Sequence, residues 1–301
     1  MTLKSCLKSM RLRTLPLSLS GITLGVCLAA ADHFVKPLTI VFLALTTVCL
    51  QILSNLSNEL GDTLHGTDTE QRAGIHYSIQ DGEMIIPQMK MLIACFVGLS
   101  CIFGLLMIRA AFGKLLDWTP VAFICLGAAA IWSALHYTLG DNPYGYRGLG
   151  DLFVFMFFGI ATVCGGYYLC ALEIPSVIVL LPACAIGCFS VAVLNVNNIR
   201  DMKTDAATRT TVAIKMGARN ARIYQTVLIV LGWAFMTTYS MLRIFSISHF
   251  LYFLTLPLFI IHIAGVWKRE ERALDPMLPL LVMSSFAFSA LAGLGFLLYL
   301  L

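Results

Sequence analysis

Apolar runs broken by short polar stretches recur from one end of the chain to the other. They fall at 16–31, 38–57, 91–109, 120–138, 152–172, 176–194, 221–242, 247–267 and 279–300. Each approaches the ~20 residues that an α-helix needs to cross the hydrocarbon core of a bilayer. Within lipid a segment must satisfy its own backbone hydrogen bonds, so the runs predict helices. The pattern predicts an all-α, polytopic membrane bundle of nine transmembrane helices. No linker-like or low-complexity stretch interrupts it, so residues 1–301 read as one integral-membrane domain.

Composition agrees. Charged residues make up 12% of the chain, against roughly 25% in a soluble domain. No basic tract suggests a nucleic-acid partner, and nothing requires an obligate protein partner. The ten cysteines fall mostly inside apolar runs and form no C-x-x-C pair, so they read as small buried hydrophobes. Lys4, Lys8, Arg11 and Arg13 precede the first run, which ends in Ala29-Ala30-Ala31. The many later spans favour a first transmembrane helix with a basic flank over a cleavable signal.

Charge placement gives the orientation. With the N-terminus cytoplasmic and the C-terminus outside, only Lys36, Arg109, Lys114 and Arg243 of the twenty Lys and Arg lie outside. That obeys the positive-inside rule. Of the sixteen acids only Asp32, Asp117 and Glu173 lie outside. The rule asks nothing of acids, so their gathering on one face needs a chemical reason.

Two stretches supply it. "NLSNELGDTLHGTD" (55–68) closes the second run and "NVNNIRDMKTD" (195–205) closes the sixth. Two spans separated by an even number run the same way, so both stretches meet the same face. Asn58 and Asp62 lie four apart, as do Asn197, Asp201 and Asp205, and that spacing lines one helical face. Gly66 can stop the helix and let Asp68 swing back toward it. Stacked carboxylates repel, and a divalent cation relieves them; hard oxygen ligands suit Mg²⁺ together with phosphate oxygens. Arg72, Arg147, Arg200, Lys203, Arg209 and Lys215 crowd the same face. Acids for a metal and bases for anionic oxygens fit a metal–diphosphate site.

These paired motifs resemble those of the UbiA-type membrane prenyltransferases. "RLRTLPLSLSG" (11–21), "QILSNLSNELGDTLHGTD" (51–68) and "NPYGYRGLGD" (142–151) are most similar to the menaquinone branch of that family. Glu59 stands where the first motif often has Asp, and Asp68 takes a role that falls at Gly66 elsewhere. The resemblance implies a nine-helix bundle in the bacterial cytoplasmic membrane, its site facing the cytoplasm. It implies two Mg²⁺ ions, or Mn²⁺, held by Asn58, Asp62, Asp68, Asn197, Asp201 and Asp205 against a long-chain polyprenyl diphosphate. Arg72, Arg147, Lys203, Arg209 and Lys215 would bind the diphosphate. Tyr144 and Tyr146 would face the acceptor or the allylic cation. The acceptor implied is 1,4-dihydroxy-2-naphthoate, which loses CO₂ to give demethylmenaquinone. Other aromatic acceptors are 4-hydroxybenzoate, homogentisate and haem. A CDP-alcohol phosphotransferase would carry a single tight aspartate block, which is absent. A transporter would place polar and broken-helix elements near the bilayer midplane, where the spans here hold essentially no Asp, Glu, Lys or Arg.

Overall fold

The computed structural model describes residues 2–67 and 77–299. Among them are nine helices long and apolar enough to cross a membrane, and no strand. A short amphipathic helix, Leu3–Met10, comes first. Then follow α1 (Leu15–Asp32), α2 (Pro37–Leu64), α3 (Ile86–Phe112) and α4 (Trp118–His136). The second half holds α5 (Gly150–Ala171), α6 (Leu180–Arg200), α7 (Val212–Leu242), α8 (Ile247–Lys268) and α9 (Met277–Leu298). The nine expected spans match these helices one for one.

Several helices extend beyond their apolar runs, α6 and α7 among them. α6 continues through Asn195, Asn198 and Arg200, all buried. Protein surrounds these groups, so they need no apolar sequence. The Asn195 amide donates to the Ala221 carbonyl (3.0 Å) and to Gln225 Oε1 (2.8 Å) on α7. α7 begins at Val212, well before the apolar run, and its first turns carry Lys215, Arg219 and Arg222. Gly217, at φ 77°, breaks this early part from the membrane-spanning part.

α6 is the hub. It packs against α5, α7, α9 and α1, while α2, α3 and α4 contact one another at one side. Sixty-one per cent of the apolar window of α6 is buried in protein, against 11% for α4, which leaves α4 facing lipid. Between helices in lipid the driving force is close packing, so small residues matter. α5 opens into a π-helical stretch, Phe155–Ala161, where it meets α6. There a Cβ on Gly159 would stand 2.7 Å from both the Ala183 carbonyl and the Gly187 Cα. Beyond this contact Phe189 of α6 packs on Phe259 (4.8 Å between centroids) and Phe288 (5.0 Å).

Gly159→Val would force α5 off α6, at a cost of about 1–3 kcal/mol for overpacking. We expect a lower melting temperature for this variant in detergent, with Gly165→Val, where a Cβ meets open space, melting close to the parent. Equal melting of the two variants would contradict the close-packed α5–α6 contact.

Candidate active site

The loop that follows α6 joins the C-terminal end of α2 to the turn just beyond α6. α2 stops at Leu64, with Gly66 at φ 66° and the Thr67 N–H donating to the Asp62 carbonyl (2.9 Å). Asp62 is thereby fixed on the last turn and is buried. After α6 the chain makes one more short turn, Met202–Asp205, so that Asp201 and Asp205 keep helical spacing and both are fully buried.

Arg209 joins the two motifs. Its guanidinium lies 2.6 Å from Asp205 Oδ2 and 3.5 Å from Asp62 Oδ1, with the side chain 9% exposed. Burial alone would lower its pKa, but Asp62 and Asp205 more than offset this and hold it above the ordinary arginine value. Its Nε is buried and has no hydrogen-bond partner.

Tyr146 caps the arrangement from the α4–α5 loop. Its hydroxyl donates to Asp62 Oδ1 (2.7 Å), and its ring lies 5.7 Å from the Arg209 guanidinium carbon. Burial and the charge of Asp62 push its pKa well above that of a free phenol, so it stays a donor. The loop is held in place at several points. The Gly145 N–H donates to the Tyr137 carbonyl (3.0 Å) and the Thr210 N–H to the Tyr146 carbonyl (2.9 Å). The His65 ring sits edge-on to Tyr146 and reaches the Gly61 and Gly140 carbonyls at 2.9 and 3.1 Å.

The other expected residues divide. Arg147 and Lys215 are exposed at the rim, with Lys215 Nζ 3.5 Å from the Arg147 carbonyl. Asn58 is half-buried and accepts from the Thr138 hydroxyl (3.3 Å). Asn197 accepts from Arg200 (2.8 Å). Lys203 is not brought to this group: it is 81% exposed and pairs with Glu271 at 2.5 Å. Tyr144 is also apart from it. Its hydroxyl donates to the Ser133 carbonyl (2.8 Å), its ring stacks on Phe153, and burial pushes its pKa up to about 12. Asp68 and Arg72 lie outside the described residues. Among the described residues no three His, Cys, Asp or Glu side chains gather closely enough to hold a metal by themselves.

Two residues were not singled out as site residues by the sequence. Arg200 forks onto Asp201 with two contacts of 2.7 Å and reaches Asp275 at 2.9 Å, so it fixes the central carboxylate of the second motif. Its place next to Asp201 was the available signal. Glu59 is fully buried and accepts from the Ile79 N–H (2.9 Å), anchoring the segment after the first motif.

The sequence pattern of the UbiA prenyltransferase family matches residues 18–286. The chain belongs to that family. It is similar to the 1,4-dihydroxy-2-naphthoate octaprenyltransferase of Haemophilus influenzae, with 37% identity over 98% of this chain and 96% of the relative. The protein of the same name from Escherichia coli is 36% identical over 96% of this chain and 94% of its own length. In fold the chain resembles an apo UbiA homolog from Aeropyrum pernix K1 at TM-score 0.66 and 15% identity, covering 97% of this chain and 98% of that one. A UbiA homolog from Archaeoglobus fulgidus bound to GPP and Mg²⁺ gives TM-score 0.58 and 14% identity, covering 94% and 99%. The nine-helix membrane bundle is therefore the family's architecture.

Arg200→Met would remove the fork that holds buried Asp201. Breaking one side of a buried pair costs about 3–5 kcal/mol. A clear fall in melting temperature in detergent is expected, larger than that for Lys203→Met at the exposed Lys203–Glu271 pair. Equal shifts for the two variants would show that the Arg200 pair is not a buried support.

Proposed function

We propose that the chain transfers a polyprenyl group from a polyprenyl diphosphate to 1,4-dihydroxy-2-naphthoate, with loss of diphosphate and CO₂. The observation that carries this reading is the meeting of both acidic motifs on Arg209, whose buried Nε still lacks a partner. The near full-length likeness to relatives of that name supports the acceptor.

The oxygen donors of Asp62, Asp201, Asp205, Asn58 and Asn197 suit a hard divalent cation, and two of the carboxylates already converge on one positive charge. With Asp68 they would hold Mg²⁺, as two ions in our reading, with Mn²⁺ an acceptable substitute. When bound, Mg²⁺ neutralises charge on the departing diphosphate. Arg209 donates its free Nε–H to a diphosphate oxygen, and Lys215 and Arg147 reach the same group from the rim. Tyr146 holds Asp62 in its ligating orientation. Arg200 does the same for Asp201. Electrostatic groups fixed in this way act on charge as it develops and need no reorganisation.

The allylic C–O bond of the diphosphate breaks, and the ring carbon that bears the carboxylate forms the new C–C bond. The ring's bond to its carboxylate then breaks, CO₂ leaves, and the electron pair returns to the ring. The balanced products are diphosphate, CO₂ and the prenylated naphthalenediol, the reduced form of demethylmenaquinone. The motif end of the bundle faces the cytoplasm in this account, in keeping with the positive-inside count.

The test uses inside-out membrane vesicles with Mg²⁺, a long-chain prenyl diphosphate and the naphthoate labelled in its carboxyl. Labelled CO₂ and diphosphate should appear in equal amounts. Asp62→Asn and Arg209→Ala should each lose about a hundredfold or more in rate, in the range of one preorganised electrostatic group. Lys203→Ala should stay within about twofold of the parent. Diphosphate without CO₂ would overturn the acceptor. Neither product from folded protein would overturn the enzyme reading.

A further inference from the structure

A second group of cations lies apart from the Arg209 cluster. Where the N-terminal helix turns into α1, a cavity of about 250 Å³ is lined by Leu7, Lys8, Arg11, Leu12, Arg13 and Tyr77. Arg11 takes a left-handed backbone conformation, φ 49°, which a non-glycine residue rarely adopts. This turn is held from α2: the Asn55 amide donates to the Met10 carbonyl (2.9 Å) and to Thr14 Oγ1 (2.9 Å). Gln51 also donates to Thr14 (3.2 Å). A strained turn supported by buried amides points to a built site.

The cations there are unequal. Lys8 already has Asp81 and Glu83 as partners. Arg11 and Arg13 have no carboxylate among the described residues. Arg11 lies over the Tyr77 ring, 3.5 Å from its centroid, and its Nε and Nη2 are buried without a hydrogen-bond partner. Arg13 Nη2 donates to the Tyr77 hydroxyl (3.4 Å). Arg11, stacked on Tyr77, and the exposed Arg13 beside it have donors to spare, and with two leucines nearby they describe a site for the carboxylate of an aromatic acid.

Position favours the same ligand. The turn hangs from Gln51 and Asn55 on α2, and Asn58 and Asp62 of the first motif follow on the same helix. The cavity therefore lies along α2 from the first motif, while Arg209 serves the junction with the second. An acceptor ring must stand beside the aspartates to reach the prenyl carbon, and a cation pair at this turn is placed to receive its carboxylate.

We propose that Arg11 and Arg13 clamp the carboxylate of the aromatic acceptor in this cavity, with Arg11 held in place by its stacking on Tyr77. The proposal rests on the reading of the chain as a prenyltransferase for an aromatic acid. It makes the two arginines specificity-determining residues for an acid over the corresponding phenol.

The purified full-length protein is assayed with 1,4-dihydroxy-2-naphthoate and with 1,4-naphthalenediol, which lacks the carboxyl. The parent should prefer the acid by about tenfold to a hundredfold in KM, the range of a charge-assisted contact. In Arg11→Ala and Arg13→Ala that preference should fall to within about threefold, while KM for the prenyl diphosphate stays unchanged. Arg13→Lys should recover part of the preference, and Lys4→Ala on the exposed helix face should keep all of it.

Binding is also followed without turnover, by the fluorescence of 1-hydroxy-2-naphthoate titrated into protein free of prenyl diphosphate. Loss of this binding in the arginine variants would support the clamp even if neither acceptor turned over, a result that would sink only the prenyl-transfer reading. An unchanged acid preference, or a shift in the prenyl diphosphate KM instead, would overturn the clamp. The assays are repeated in nanodiscs of phosphatidylcholine with or without phosphatidylglycerol. A variant effect seen only with phosphatidylglycerol would assign the arginines to a lipid headgroup and overturn it too.

Discussion

The architecture turns on one buried positive charge. Arg209 stands between Asp62 at the end of α2 and Asp205 just beyond α6. Placing carboxylates from two helices together in a low-dielectric site is costly unless a cation lies between them. The guanidinium fills that role here, and Tyr146 adds a hydrogen bond to the same Asp62 oxygen. The helices that carry the motifs cannot separate without exposing this group. Nor can the α4–α5 loop move without releasing Tyr146.

The rest of the bundle makes this meeting possible. α6 carries the second motif and packs against four other transmembrane helices. Its small residues let α5 approach backbone to backbone, as at Gly159 and Gly187. Polar groups then gather at one end, where protein and not lipid surrounds them. Asn195, Asn198 and Arg200 are buried there, as are Asp201 and Asp205. The same end holds two separate sets of cations, one at the junction of the motifs and one at the turn into α1. In the proposed reading, the two sets separate the handling of a leaving diphosphate from that of an acceptor acid.

The helices were legible because lipid imposes a length and a composition on each span. The motif carboxylates were legible because four-residue spacing stacks side chains on one face. Single cations were harder to place. Lys203 lies between Asp201 and Asp205 in sequence, yet its side chain leaves that face for Glu271. Arg200 has the same kind of flanking position but turns inward onto Asp201. Local spacing does not determine which way a long side chain goes; packing against α9 and its preceding turn does. Tyr144 and Tyr146 differ likewise. The short helical turn between them sends one ring into Phe153 and the other toward Asp62. The arginines at the turn into α1 looked like an ordinary basic flank. Their contacts with Tyr77, which is distant in sequence, are made only by the fold.

The claim that the two motifs form one electrostatic unit is tested most directly by a double-mutant cycle. The rate of diphosphate release is measured for the parent, Asp62→Asn, Asp205→Asn and the double variant, each shown to be folded. Residues acting as one unit are strongly non-additive. The account expects each single variant to lose about a hundredfold and the double variant to fall within about threefold of the worse single. A double variant whose loss equals the product of the two single losses would show that the motifs act independently, and would contradict the account.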